Sequence, residues 1–231
     1  VQVSVDSAGA EGIGGDSSSC SISGDGRYVA FVSDATNLLG VGNDTNGSTD
    51  VFIHDRDTDG DGQYDEPGEV STVRVSVDSA GAEGNGNSNF PSISGDGRYV
   101  AFESDATNLV GVGNDTNGST DVFVHDRDTD GDGQYDEPGE VSTVRVSVDS
   151  AGVEGNGDSN LPSISADGSS VTFESDATNL LGVGNDNNGV PDIFADDLQA
   201  GAGGGGESSS GGGGCFIATA ADGSGMAGEV K

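Results

Sequence analysis

Basic residues are nearly missing from this chain: 7 lysines and arginines stand against 41 aspartates and glutamates, a formal net charge of -34. A surface of that sign lacks the basic footprint that phosphate groups require, which excludes nucleic acid and anionic membrane surfaces as partners. Tryptophan is absent, aromatics are 5% of the residues and hydrophobic residues 31%. No apolar run is long enough to span a bilayer, so membrane insertion is not expected, and no signal peptide is visible. The chain starts at Val1 without an initiator methionine and reads as a processed product or a piece of something longer. Only two cysteines occur, Cys20 and Cys215, too few to define a redox compartment, and whether they pair is left open. A composition this polar can signal disorder, but here the apolar residues fall in short, regularly spaced runs.

Those runs belong to a repeat. Ser21 to Gly84 aligns without gaps to Ser92 to Gly155, differing at four of 64 positions: Val32/Glu103, Leu39/Val110, Ile53/Val124 and Ala82/Val153. A third, diverged copy runs from Ser163 to about Asp197. Each unit reads as one supersecondary element stacked on the next. Four short strands are expected per unit, in the first copy 21–23, 27–31, 50–54 and 72–77, the last with Val73, Val75 and Val77 alternating with polar residues. Four antiparallel strands per unit with turn signals between them predict an all-β fold of β-propeller-like blades, about three in number. The blades span about 21–77, 92–148 and 163–197 of a repeat domain over 1–198. Val1 to Gly9 matches Val73 to Gly81, so strand 1–7 is expected to complete the third blade. Three blades are few for a closed propeller. The array is then part of a longer propeller, pairs with a second chain to make six blades, or stays open.

The segment Asp55 to Glu66 returns letter for letter at Asp126 to Glu137. It fits the D-x-D-x-D-G-x5-E calcium-loop pattern, in which clustered carboxylates supply the hard oxygen ligands that calcium prefers. The candidate ligands are Asp55, Asp57, Asp59, Asp61 (through its carbonyl), Asp65 and Glu66, and in the second copy Asp126, Asp128, Asp130, Asp132, Asp136 and Glu137. A register starting at Asp57, with Asp59, Asp61 and Gly62, is a second reading, with Asp65 and Glu66 downstream but Gly68 and no acid at position twelve, and a solvated acidic turn is the plain alternative. A second motif, D-x-N-G-x-x-D, places Asp44, Asn46 and Asp50 together, then Asp115, Asn117 and Asp121, then Asp186, Asn188 and Asp192. These are calcium loops with a side-chain amide carbonyl among the donors, or Asn-Gly turns leading into a strand. Calcium at all five loops would offset +10 of the -34. His54 and His125 occupy one repeat position and read as strand-end polar residues rather than ligands or bases. Near-identical repeats are a poor way to build one asymmetric active site, so no enzyme is expected.

The run from Pro91 to Leu109, with Asp115 to Val124 after it, resembles the TolB-type β-propeller repeat of bacterial secreted proteins. The resemblance covers Val1 to about Asp197 and implies a propeller that binds or scaffolds rather than catalyses. The inserted DTDGDGQYDEPGE segment departs from that pattern. After Asp197, residues 199–214 read as a flexible Gly/Ser-rich linker. Residues 215–231 open with CFIATAADGS, which resembles a truncated C-terminal CFI-box and implies surface sorting or processing.

The sequence therefore predicts an extracellular or cell-surface calcium-binding propeller module, with the periplasm as an alternative compartment. Its expected partners are calcium ions and, through open blade edges, copies of itself as an oligomer or polymer. Two other readings stand beside it: a self-assembling surface or filament protein, and the non-catalytic propeller of a larger secreted hydrolase.

Overall fold

The computed structural model describes residues 1–182, 184–186 and 188–198. Among the described residues, eleven strands form three antiparallel sheets, one per repeat copy. The first blade holds β1 (Ser17–Ile22), β2 (Tyr28–Ser33), β3 (Asp50–Asp55) and β4 (Ser71–Arg74), in that spatial order. The second holds β5 (Ser88–Ile93), β6 (Tyr99–Ser104), β7 (Asp121–Asp126) and β8 (Ser142–Arg145). The third has β9 (Ser159–Ile164), β10 (Ser170–Ser175) and β11 (Asp192–Asp197), ordered β11-β10-β9. The all-β, blade-like architecture read from the repeat is what the chain adopts.

Period-two alternation decides which side chains face which neighbour. Tyr28, Ala30 and Val32 of β2 and Val51 and Ile53 of β3 point to the second blade. There they meet Ile93, Val100, Phe102, Ala106, Leu109 and Phe123 in one core. The same pattern recurs one repeat on, where Ala101, Val122 and Val124 meet Ile164, Val171, Phe173 and Phe194. The two larger clusters of the hydrophobic core thus lie between blades. A further cluster of Phe31, Ala35, Leu38 and Phe52 lines the opposite side of the first blade.

Several boundaries differ from the sequence reading. The first strand of each blade is longer than expected, and its pairing is interrupted by a register shift: between Ser18 and Ser21, between Asn89 and Ser92, and between Asn160 and Ser163. Ser19, Phe90 and Leu161 take positive φ (46°, 48° and 53°) at these three equivalent points. Proline follows two of them, at Pro91 and Pro162, where a missing N–H costs no ladder bond. The fourth strand stops at Arg74. Beyond it, the Val75 and Ser76 amides both donate to the Val51 carbonyl, and the chain turns away.

The N-terminal segment lies elsewhere than expected. Residues 5–11 sit on the first blade: the Thr72 hydroxyl donates to the Val5 carbonyl at 2.6 Å, and the Thr72 amide to the Ser7 hydroxyl at 2.9 Å. Residues 77–83 sit on the second blade in the same way, through Thr143 with Val77 and Ser79. Strand 1–7 therefore does not complete the third blade of its own chain, because its sequence match is to the connector between blades and not to a blade edge alone. The linker 199–214, the segment 215–231 and Cys215 lie outside the described residues, while Cys20 is an exposed free thiol on β1.

Candidate metal centre

Each loop between the third and fourth strands of a blade begins with an arginine clamp. Arg27 takes both oxygens of Asp55 at 2.8 Å, and Arg56 takes Asp65 through Nε at 2.9 Å and Nη2 at 2.5 Å. Arg98 with Asp126 and Arg127 with Asp136 repeat the arrangement. Bidentate pairing of this kind is the strong form of the contact, and Arg56 holds the Asp65 carboxyl below its ordinary range. Four of the predicted loop ligands, Asp55, Asp65, Asp126 and Asp136, therefore already face a guanidinium.

What remains is a carboxylate triad in the alternative register. Oxygens of Asp57, Asp59 and Asp61 lie within 4.8 Å of one another, as do those of Asp128, Asp130 and Asp132. Asp57 is 3% exposed and accepts from the amides of Asp61 (3.2 Å) and Gly62 (3.0 Å), which folds the loop around its carboxylate. Gly62 and Gly133 hold the turn at φ near +85°, open to glycine without strain. Glu66 and Glu137 stand outside the triads. Desolvation, followed by the charges of the neighbouring acids, holds both carboxyls above their ordinary range. At Asp59 the Asp61 amide pulls downward, yet desolvation, Asp57 and the charges of Asp61 and Glu69 together raise the carboxyl.

The second motif is more deeply built. Asp50 opens β3 at 1% exposure and Asp121 opens β7 at 0%. Arg74 Nη1 donates to Asp50 Oδ2 at 2.7 Å and to Glu83 Oε2 at 2.6 Å, while Ser76 donates to Asp50 Oδ1 at 2.7 Å. Arg145, Glu154 and Ser147 repeat the network around Asp121. Burial raises the Asp50 and Asp121 carboxyls despite these cations. Oxygens of Asp115, Asp121 and Glu154 converge within 4.8 Å. The Thr45 and Thr116 hydroxyls donate to Glu83 and Glu154. One oxygen of Asp44 and one of Asp115, Oδ1 in both, are buried without any hydrogen-bond partner. A buried carboxylate oxygen without a donor is costly, more so than the about 1–3 kcal/mol of a neutral polar group, and a hard cation is the partner its chemistry fits.

The asparagines expected as carbonyl donors are otherwise engaged. Asn46 Oδ1 accepts the Ser48 amide at 2.6 Å, Asn117 Oδ1 the Ser119 amide at 2.6 Å, and Asn188 Oδ1 the Val190 amide at 2.9 Å. In the third copy Asn188 Nδ2 bonds both oxygens of Asp192, and Asp186 accepts the Asn188 amide at 3.3 Å. Glu83 and Glu154 are the members that sequence reasoning missed. They lie on the connectors between blades, far along the chain from Asp50 and Asp121. Their one signal is recurrence, since Glu11, Glu83 and Glu154 occupy matching places. His54 and His125 are buried and bonded through Nδ1 to Thr72 and Thr143 at 2.8 Å. Those hydroxyls donate onward to backbone carbonyls, which assigns the proton to Nδ1. Burial pushes His125 down to about 4.

No protein-family model matches this chain, and no curated protein matches it. Among solved structures, it is similar to TolB from Acinetobacter baumannii at 18% identity and a TM-score of 0.39, covering 81% of this chain and 31% of that one. It is likewise similar to a putative TolB from Agrobacterium tumefaciens at 17% identity and a TM-score of 0.41, covering 83% of this chain and 48% of that one. The chain thus spans between about a third and a half of the length of these structures. Among the described residues, no helix is long and apolar enough to cross a membrane.

Proposed function

We propose that this chain is a non-enzymatic, calcium-stabilised β-propeller-like module that serves binding or structural scaffolding outside the cytoplasm. The observation that carries the reading is the buried, partnerless Oδ1 of Asp44 and of Asp115; oxygens of Asp115, Asp121 and Glu154 converge within 4.8 Å, and in the first copy the Asp44 charge bears on the buried Asp50. The cation at these sites would be held by Asp44, Asp50 and Glu83, and by Asp115, Asp121 and Glu154. The triads of Asp57, Asp59 and Asp61 and of Asp128, Asp130 and Asp132, each made of one buried and two exposed aspartates, supply oxygen-only donor sets of the same kind. Bound calcium would fix a connector against the blade it leaves, and would stabilise the array by mass action because the unfolded chain offers no such cluster. Millimolar calcium occurs outside the cytoplasm, which is where weak loop sites of this type fill.

Calorimetric titration with calcium tests this. Wild-type protein is expected to bind several ions. Asp44→Asn with Asp115→Asn should remove the connector class, and Asp57→Asn with Asp128→Asn the triad class. Absence of binding heat and of any calcium-dependent spectroscopic change would leave both clusters as solvated acids and overturn the reading.

A further inference from the structure

A cleft of 460 Å³ opens at the junction of the first two blades. Arg27, Tyr28, Asp55 and Ser71 of the first blade line it, together with the exposed Thr58. From the second blade come Arg127 and the stretch Gly133 to Asp136 of the acidic loop. Both walls belong to adjacent repeats, so the cleft is complete within the first two blades.

Its distinguishing group is the Tyr28 hydroxyl. Tyr28 is 7% exposed, yet among the described residues no group donates to its hydroxyl or accepts from it. The hydroxyls of Tyr64 and Tyr135, by contrast, donate to the carbonyls of Asp25 and Asp96 at 3.0 and 3.3 Å. Burial, followed by the Asp55 charge, pushes the Tyr28 hydroxyl up to about 12, against the pull of Arg27 and Arg127. Those three charges all line the cleft, which places the hydroxyl among them. It stays protonated at neutral pH, offering one donor and its lone pairs. A hydroxyl this buried and without a partner is costly, and a ligand in the cleft can supply the missing bond.

The chemistry of the walls narrows what that ligand is. Arg27 takes both oxygens of Asp55, and Arg127 both oxygens of Asp136. An anion therefore finds no free cation, and the net charge of -34 repels it. A cation meets resident positive charge instead of open rings. Arg27 lies 4.8 Å from the Tyr28 centroid, and Arg127 lies 4.8 Å from those of both Tyr28 and Tyr135. An apolar ligand would bury little, because Ile53 and Val73 are the aliphatic members of the wall. Neutral hydrogen-bonding groups remain: the hydroxyls of Tyr28, Thr58 and Ser71 and the Gln134 amide.

We propose that this cleft binds a neutral mono- or disaccharide, with Tyr28 Oη as a central contact. Sugar hydroxyls both donate and accept, as the Tyr28 hydroxyl does, and the volume falls within the range of about 300–1,000 Å³ typical of small-ligand pockets. The site does not depend on calcium, but it adjoins a calcium candidate. Gln134 Nε2 donates to Asp132 of the second triad at 2.9 Å, so a cation on that triad competes for the oxygen that holds the amide.

Saturation-transfer NMR of the full chain with maltose, cellobiose, lactose and mannobiose, each in calcium and in chelator, tests the proposal. Glucuronate and choline serve as charged controls. At least one of the four sugars is expected to bind, and neither control. Tyr28→Phe keeps the ring and removes only the hydroxyl, and should weaken binding about tenfold. Its thermal midpoint should stay unchanged, because that hydroxyl bonds nothing in the free fold. Thr58→Trp, at an exposed position, should fill the cleft and abolish binding without moving the midpoint. Equal binding in calcium and chelator supports the saccharide site alone, whereas binding in calcium only supports it and ties it to the neighbouring triad. No transfer to any of the four sugars, binding indifferent to both variants, or preference for a charged probe would overturn the proposal.

Discussion

Gly97 and Tyr28 compete for one space. Gly97 sits at φ +82°, and a Cβ there would lie 2.2 Å from Tyr28 Cδ2, across the junction of the first two blades. Gly26 has the same φ, but its Cβ would meet nothing nearer than 3.9 Å. Gly26→Ala should therefore cost only the left-handed penalty of about 1–2 kcal/mol. Gly97→Ala should add about 1–3 kcal/mol of overpacking, and urea denaturation of the two variants reads the difference. His125 gives a pH signature. In the unfolded chain it takes a proton near pH 6.5, but buried in the fold only near about 4. Across that window the unfolded state binds more protons, so stability present above it is lost as pH falls, by on the order of 3 kcal/mol. Asp121, which burial raises, works in the opposite sense. Comparing wild type with His125→Gln by denaturation between pH 7 and about 4 isolates the histidine; the variant should show the shallower slope.

At the scale of elements, the blades are held by what lies between them. Phe102 is fully buried among residues of the first and second blades, so Phe102→Ala is expected to cost about 3–5 kcal/mol. Its transition should remain single by circular dichroism and intrinsic fluorescence, because the first two blades share one core. Strands β2, β3, β6 and β7 were legible because short apolar runs bounded by turn residues report strands buried on both faces. Alternation does not report a partner, which is why Val75 and Val77 looked like a continuation of β4 and instead begin a connector. Residues 1–7 were misplaced for the same reason: their match to 73–79 fixed the path but not the blade. The Asp57, Asp59 and Asp61 spacing was legible as a metal pattern, with its register open. That Asp55 and Asp65 go to Arg27 and Arg56 depends on arginines that fold back across the blade. Nothing in local spacing carries that, or brings Glu83 to Asp50.

At the scale of the whole molecule the excess of negative charge dominates. Guanidinium groups answer a few carboxylates, but the triads and the buried Asp44 and Asp115 oxygens are left to repel one another or to take a cation. Simple screening by sodium chloride should raise stability modestly, while a specifically bound ion adds about 2.7 kcal/mol per site at a hundredfold excess over its dissociation constant. The most direct measurement is the thermal unfolding midpoint in calcium chloride against sodium chloride at matched ionic strength, with chelator to reverse the effect. A calcium midpoint well above the sodium one, returned to it by chelator, is the predicted result. Coincident midpoints in the two salts would contradict a calcium-stabilised array.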